Sequence, residues 1–327
     1  MLEHGGQIHA AALRYGIPVT EWLDLSTGIN PIPFAPPPIP EAAWQRLPQE
    51  QDGLLQAASR YYGTTHLLAV AGSQAAIQLL PKLRKHCRVG VLHPAYSEHA
   101  HAWRSAGHEV LDLTLAQIDT AIDRLDVLVL IQPNNPTGTL FPHTQLLEWH
   151  SSLQARQGWL IIDEAFIEAT THTSMAQAEM PSGLIVLRSI GKFFGLAGAR
   201  VGFVMAHAEL LVALKEFLGP WNVAGPSRFV AQAALQDTAW QIAAHTRLQQ
   251  DCTRLAQLLN ASKLRVGGGC GLFQWVQTTQ AEAIHQRLAQ RGILTRLFIQ
   301  PTSLRFGLPG NPTEWARLQT ALAEILI

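Results

Sequence analysis

The sequence predicts an α/β protein, in which a mostly parallel seven-stranded sheet with helices on both faces precedes a smaller α+β domain. Three observations favour this class. Apolar runs of strand length alternate with helical stretches between residues 54 and 205, which is typical of a parallel sheet. Several runs are apolar throughout, as in strands covered on both faces. After Pro220 the pattern changes to long helices and short strands.

Residues 1–40 are predicted to form an N-terminal arm. The arm begins with a helix, continues with a short strand at 22–25, and ends in a proline-rich segment at 30–40. Because the proline density excludes both helix and central strand, we expect an extended segment that lies across another part of the protein.

A large domain is predicted over 41–222. Helices are expected between its strands, for example at 73–86 and 143–157. The strands are expected at 68–71, 88–92, 109–113, 127–132, 159–163, 184–188 and 201–205. Ligands of open α/β sheets bind beyond the carboxyl ends of the strands, so side chains that follow these runs are the functional candidates.

A small domain with a largely antiparallel sheet is predicted over 223–327. Its helices are expected at about 226–236, 239–260, 279–291 and 312–326. Its strands are expected at 264–267, 271–276, 293–296 and 303–307.

Charge and composition exclude several function classes. The formal net charge is zero and no basic segment is present, which argues against nucleic-acid and membrane-surface partners. The three cysteines are widely spaced, so neither a disulfide framework nor a zinc site is expected. No apolar run is long enough to cross a bilayer, and residues 1–6 lack a signal-peptide pattern, so the cytoplasm is the expected location.

Four of the fourteen histidines lie close together, at His93, His99, His101 and His108. No partner residue falls at metal-ligand spacing near them. We therefore expect surface or hydrogen-bonded histidines and no metal.

The most informative motif is Ser189-Ile190-Gly191-Lys192, which follows an apolar run and precedes Arg200 by eight residues. A lysine there suits a Schiff base with an aldehyde cofactor. Ser189 and Arg200 suit the phosphate of that cofactor. The motif therefore indicates pyridoxal phosphate (PLP), and ordinary surface cations are the alternative because the motif is short.

Two further candidates follow earlier strands. Gly72-Ser73-Gln74 opens a helix, where backbone amides and the Ser73 hydroxyl suit a phosphate; a helix cap is the alternative. Tyr96 follows the next strand and suits stacking on a flat heterocycle, with a tyrosine at the rim of the sheet as the alternative.

Asn135 and Asp163 follow two more strands. Asn135 lies in an Asn-Pro-Thr-Gly turn and could donate a hydrogen bond to the phenolic oxygen of PLP, although a turn alone also explains this motif. Asp163 ends a buried strand, where a carboxylate is costly unless it is paired. A protonated pyridine nitrogen would pair with it, and a protonated ring is the electron sink of PLP chemistry.

The order of these motifs resembles that of the fold-type I PLP enzymes of the aspartate aminotransferase superfamily, over nearly the full length. The resemblance implies the PLP-dependent transferase fold type I and PLP as cofactor. Lys192 would bind PLP covalently and move protons, and Asp163 would pair with the pyridine nitrogen. Asn135 would bind the phenolic oxygen, and Tyr96 would stack on the ring. The phosphate would be held by Ser73, Gln74, Ser189 and Arg200.

The N-terminal motifs, His4-Gly5-Gly6 and the segment 23–31, resemble the threonine-phosphate decarboxylases of cobalamin synthesis, which are relatives of histidinol-phosphate aminotransferases. A small phosphorylated amino acid would be the substrate. Two arginines near the C-terminus would bind its two anionic groups. Gly28 stands where some relatives have an asparagine. The implied substrate-binding residues are His4, Gly5, Gly28, Asn135, Arg296 and Arg305.

Two positions depart from the superfamily pattern. Phe166 replaces a tyrosine that hydrogen-bonds the phenolic oxygen, and the loss of that donor should raise the pKa of the Schiff base. Leu47-Pro48 replaces a Tyr-Pro pair whose tyrosine reaches the phosphate of a neighbouring subunit. The resemblance still implies a homodimer.

The resemblance leaves three functions to compare. The first is decarboxylation of L-threonine O-3-phosphate to (R)-1-amino-2-propanol O-2-phosphate, which Phe166 and His4-Gly5-Gly6 favour. The second is an aminotransferase acting on histidinol phosphate or a similar amine. The third is a non-catalytic PLP-binding protein, which the intact set of Lys192, Asp163, Asn135 and Arg200 argues against. Substrate orientation decides between the first two.

Overall fold

The computed structural model describes residues 4–326, so residues 1–3 of the predicted arm and residue 327 of the predicted small domain lie outside it. Within the described range, no helix is both long and apolar enough to cross a membrane. The predicted domain limits at 40/41 and 222/223 stay predictions.

The strands of the described chain are β1 (Leu23–Asp24), β2 (Leu67–Val70), β3 (Arg88–Leu92), β4 (Glu109–Leu113), β5 (Val127–Ile131), β6 (Trp159–Asp163), β7 (Leu184–Ser189), β8 (Gly202–Met205), β9 (Val266–Cys270), β10 (Phe273–Gln277), β11 (Ile293–Leu294), β12 (Arg296–Phe298) and β13 (Ser303–Gly307). The α-helices are α1 (Ile8–Tyr15), α2 (Ala42–Gln45), α3 (Leu54–Tyr62), α4 (Ser73–Leu79), α5 (Ser97–Ser105), α6 (Ile118–Ala121), α7 (His143–Gln154), α8 (Ala208–Leu218), α9 (Gly225–Gln236), α10 (Thr238–Ala261), α11 (Ala281–Ala289) and α12 (Pro312–Ile325).

The central sheet has seven strands in the order β2-β8-β7-β6-β5-β3-β4. Only β8 runs antiparallel to its neighbours, so the predicted seven-stranded, mostly parallel sheet is confirmed. β5 is buried at every residue, because apolar side chains from two separate core clusters cover the two faces of the sheet. The carboxyl ends of the parallel strands therefore meet at one edge.

A second sheet near the C-terminus has four antiparallel strands in the order β12-β13-β10-β9. The predicted strand at 293–296 is wrong as one element, because it divides at Thr295. β11 pairs in parallel with β1 of the arm, whereas β12 pairs with β13. The N-terminal arm therefore packs, through β1, against the C-terminal part of the chain.

The predicted helix at 73–86 is too long. α4 ends at Leu79 and continues only as a 3₁₀ turn over Leu80–Leu83. Pro81 explains the change, because it lacks an N–H and its ring clashes with the preceding helical turn.

The proline-rich segment lies across the loop that follows β7, as expected. The Asn30 N–H donates to the Lys192 carbonyl at 3.0 Å, and the Phe34 N–H donates to the Phe194 carbonyl at 2.9 Å. The Asn30 amide also donates to the Phe193 carbonyl at 2.8 Å. These bonds fix the backbone at the predicted cofactor lysine and immediately after it.

Candidate active site

A cavity of about 280 Å³ opens at the carboxyl edge of the central sheet. The structure brings nearly all the predicted site residues to its wall. They are His4, Gly5, Ser73, Gln74, Tyr96, Asn135, Asp163, Ser189, Lys192, Arg200, Arg296 and Arg305. Gly28 lies behind this wall, where a Cβ would be 3.3 Å from Phe273 and 3.6 Å from the guanidinium carbon of Arg305.

Lys192 projects from the loop after β7. Its Nζ lies 3.4 Å from the Thr27 carbonyl oxygen and 5.3 Å from the centre of the Phe166 ring. Burial, and then the nearby Arg305 charge, lower the pKa of Lys192 to about 8. A fraction of the amine is therefore neutral near pH 7, and only the neutral amine attacks an aldehyde.

Asp163 ends β6 with both carboxylate oxygens engaged. One accepts from the Ala165 N–H at 3.0 Å, and the other accepts from Nε2 of His99 at 2.9 Å. Both side chains are buried. This role of His99 is not evident from its position in the sequence, although an Asp at a buried strand end signals that a donor must be near. The remaining lone pairs of the carboxylate suit a protonated ring nitrogen.

The turn between β2 and α4 forms a cradle with Arg200. Gly72 has φ +75°, and a Cβ there would lie 2.5 Å from Nη2 of Arg200. A side chain at this position would displace the guanidinium, so glycine is required. Ser73 and Gln74 occupy the first turn of α4, whose N–H groups have no partner within the helix. Donors and a cation of this kind suit a phosphate.

The Gln74 side chain points to other protein groups. Its Nε2 donates to Glu98 at 2.8 Å, and its Oε1 accepts from the Tyr96 hydroxyl at 3.4 Å. This leaves the backbone N–H of Gln74 for a phosphate. Burial, together with the charges of Glu98 and Asp163, raises the pKa of Tyr96 to about 12, so its phenol stays neutral.

Asn135 and Arg305 are joined by a hydrogen bond. Arg305 donates to Oδ1 of Asn135 and to the Ser26 carbonyl, each at 2.5 Å. The first bond fixes the Asn135 amide, so its NH₂ is the group left to donate to a ligand. Nε of Arg305 is buried and has no hydrogen-bond partner within residues 4–326. Burial, and then the charge of Arg296, lower the pKa of Arg305 to about 10.

Arg296 stands directly opposite Arg305 in the antiparallel pair of β12 and β13. Residues opposite each other in such a pair lie on the same face, and two like charges there repel. Both arginines line the cavity. An anion between or beside them would relieve the repulsion, and the buried Nε of Arg305 would gain an acceptor.

The arm closes one side of the cavity. Nε2 of His4 lies 2.8 Å from Oε1 of Glu98 on α5. The Gly6 N–H donates to the Ser26 hydroxyl at 2.7 Å. A Cβ at Gly5 would lie 2.4 Å from the Ser26 carbonyl oxygen, so only glycine permits this approach.

Phe166 and Leu47, the two positions that depart from the superfamily pattern, differ in their surroundings. Phe166 is buried and packs edge-on against Phe273, with ring centres 5.2 Å apart. An apolar side chain therefore occupies the place expected for a phenol donor. Leu47 is 63 % exposed and lies outside the cavity wall.

Together these residues fit PLP. The lysine, the carboxylate, the amide donor and the phosphate cradle converge on one cavity, and each group has the charge that the cofactor needs. The Gly72–Arg200 approach is the most specific feature of this fit, because a Cβ at residue 72 would abolish it.

Comparison with known proteins gives the same result. Residues 45–323 match the family described as aminotransferase class I and II. A threonine-phosphate decarboxylase of Pseudomonas aeruginosa is 54 % identical over 98 % of this chain and 97 % of its own. One from a Sinorhizobium species is 41 % identical over 98 % of both chains.

A solved structure supports the fold. The histidinol-phosphate aminotransferase from Sinorhizobium meliloti, in complex with pyridoxal-5'-phosphate, is 21 % identical with a TM-score of 0.85. The similarity covers 99 % of this chain and 95 % of that one. The match of motif order, site and sequence leads to one conclusion: the chain belongs to the aminotransferase class I and II family.

Proposed function

We propose that this protein is a PLP-dependent carboxy-lyase that converts L-threonine O-3-phosphate to (R)-1-amino-2-propanol O-2-phosphate, a step of cobalamin biosynthesis. The observation that carries the proposal is the cross-strand pair of Arg296 and Arg305 on the cavity wall. A substrate with two anionic groups, a carboxylate and a phosphate, matches two adjacent cations. The 54 % identity to a threonine-phosphate decarboxylase supports the same substrate.

The cavity residues have separate roles in the proposed reaction. When bound, PLP supplies an electron sink that labilises whichever substrate Cα bond stands perpendicular to its ring. His99 holds the carboxylate of Asp163, which would pair with the ring nitrogen, and Arg305 holds the amide of Asn135, which would donate to the phenolic oxygen. Lys192 holds the proton that Cα receives after the Cα–carboxylate bond breaks and carbon dioxide leaves.

Substrate orientation separates decarboxylation from transamination. If the arginines held the substrate so that the Cα–carboxylate bond was the one labilised, carbon dioxide would leave; if the Cα–H bond took that place, Lys192 would remove the proton instead. Phe166 lines the cavity and is buried against Phe273, so an apolar surface would face the substrate there. The resemblance of His4-Gly5-Gly6 to the threonine-phosphate decarboxylases favours the decarboxylase over an aminotransferase.

We also propose that two copies form a homodimer and that the enzyme works in the cytoplasm. Exposed apolar side chains at Leu47, Val212 and Trp221 support a dimer, because such patches commonly mark protein interfaces. The three cysteines are free thiols, which is compatible with a reducing compartment.

The decisive test measures carbon dioxide release from L-threonine O-3-phosphate by the PLP-loaded enzyme, together with cofactor absorbance. Release without conversion of the cofactor to pyridoxamine phosphate is the expected result. Lys192→Ala should reduce the rate by about 10²–10⁴-fold or more, because proton transfer and covalent binding both fail. Half-transamination without release would instead establish an aminotransferase.

A further inference from the structure

Glu98 is a carboxylate that the proposed reaction does not use. It lies in the first turn of α5 and is 9 % exposed. Its Oε2 accepts from Gln74 at 2.8 Å and from Gln78 at 3.3 Å, and both donors lie on α4. Its Oε1 lies 2.8 Å from Nε2 of His4 on the arm. One carboxylate thus joins α4, α5 and the arm.

Residues 5 and 6 have a second attachment, at Ser26. The Ser26 hydroxyl accepts from the Gly6 N–H and donates to Asp24 at 2.6 Å. The Ser26 carbonyl accepts from Arg305 at 2.5 Å, and Gly5 packs against that carbonyl. The position of the arm therefore bears directly on one of the two substrate arginines.

Helix α1, within the arm, gives residues 4–7 little support. Ala11 is the only buried residue of α1, and Leu13 is 88 % exposed. A segment with few buried apolar contacts opens easily. The polar contacts at His4 and Ser26 must therefore supply much of the order in residues 4–7.

We propose that Glu98 is a positioning residue for substrate binding, which holds His4 and thereby the arm against the cavity beside Arg305. The inference rests on the proposed function for its substrate. A charge-assisted bond from His4 to a mostly buried carboxylate is stronger than a neutral one. The bonds from Gln74 and Gln78 keep the Glu98 side chain in the orientation that His4 requires.

The test is hydrogen exchange of the PLP-loaded enzyme, combined with steady-state kinetics. Glu98→Ala should speed exchange in residues 4–7 and raise KM for L-threonine O-3-phosphate, each by about tenfold, with kcat within about twofold. Glu98→Gln keeps an acceptor for Gln74 and should therefore keep PLP binding while the arm still exchanges faster. In a His4→Ala background, Glu98→Ala should add no further change in KM.

Asp112→Ala is the matched control, because it breaks an exposed ion pair with Arg104 at the other end of α5. It should change neither arm exchange nor KM. Arm exchange in Glu98→Ala equal to that of the unaltered enzyme would overturn the proposal, as would a full KM effect in the His4→Ala background. Failure of the unaltered enzyme to release carbon dioxide would refute only the proposed substrate, since hydrogen exchange still reports on the arm.

Discussion

At the scale of single residues, buried charge is the dominant feature of the site. Burial and a neighbouring cation lower the pKa of both Lys192 and Arg305. The neighbouring cation is Arg305 for Lys192 and Arg296 for Arg305. Such an arrangement costs folding free energy and persists where ligands of opposite charge bind. The sequence identifies both residues by their motifs, but their pKa values depend on neighbours that only the fold supplies.

Lys192→Met should stabilise the cofactor-free protein near pH 7 by about 3 kcal/mol, because it removes a buried cation. The pKa of Lys192 is about 8 in the fold, against 10.5 for an ordinary lysine. The unfolded chain therefore binds more protons between these values, and the unaltered protein gains stability as pH rises through that window. The advantage of the variant should shrink from pH 8 to 10.5. Urea unfolding at several pH values measures the stability difference between the variant and the unaltered protein. A difference that does not change with pH would show that the buried Lys192 charge is not its cause.

Phe166→Tyr should lower the pKa of the visible absorbance transition of bound PLP by about one unit. The new phenol would donate to the phenolic oxygen of the cofactor and stabilise its deprotonated form. Phe166 packs against Phe273, so thermal unfolding should accompany the absorbance titration to detect overpacking. An unshifted transition in a stable variant would show that the phenol does not reach the cofactor.

At the scale of elements, local sequence patterns predict the strands of the central sheet better than they predict contacts between distant segments. Apolar runs place β3 and β6 at the predicted bounds, because burial on both faces leaves a continuous apolar signal. The edge strand β4 also has the predicted bounds, although it is largely exposed. Thr295 divides one predicted strand, since β11 pairs with a partner in the distant arm. The contacts of His99 and Glu98 were likewise unpredictable, because they join segments whose proximity depends on how α5 packs.

Gly72→Ala should weaken PLP binding by at least about tenfold, because the new Cβ would displace the Arg200 guanidinium from the phosphate cradle. Gly63→Ala is a matched control. Both glycines have φ +75°, but a Cβ at Gly63 would have nothing within 4 Å. Gly63→Ala should lose about 1 kcal/mol of stability from left-handed strain. Gly72→Ala should lose about 1–3 kcal/mol, because its ψ of 156° at positive φ is a conformation that only glycine adopts readily. PLP titration of the cofactor-free proteins checks the difference, and equal weakening in both would refute the cradle.

At the scale of the whole molecule, the arm unites the two halves of the chain. β1 pairs with β11 near the C-terminus, and the following segment is bonded to the loop that holds Lys192. The site therefore needs residues from almost the entire length of the protein. This explains why a resemblance in motif order predicts the site, whereas no single segment contains it.

The proposed dimer is also a property of the whole molecule. Val212 and Trp221 line a cavity of about 500 Å³ near the edge strand β2, and Leu47 precedes Pro48, which also lines it. We expect a species of twice the 35.9 kDa chain mass in light scattering. Trp221→Arg should weaken the dimer by about thirtyfold, because a buried aromatic anchor commonly contributes about 2 kcal/mol. Leu115→Arg alters an exposed apolar residue after β4, at the other edge of the sheet, and should leave the dimer intact. Dissociation by both variants, or by neither, would place the interface elsewhere.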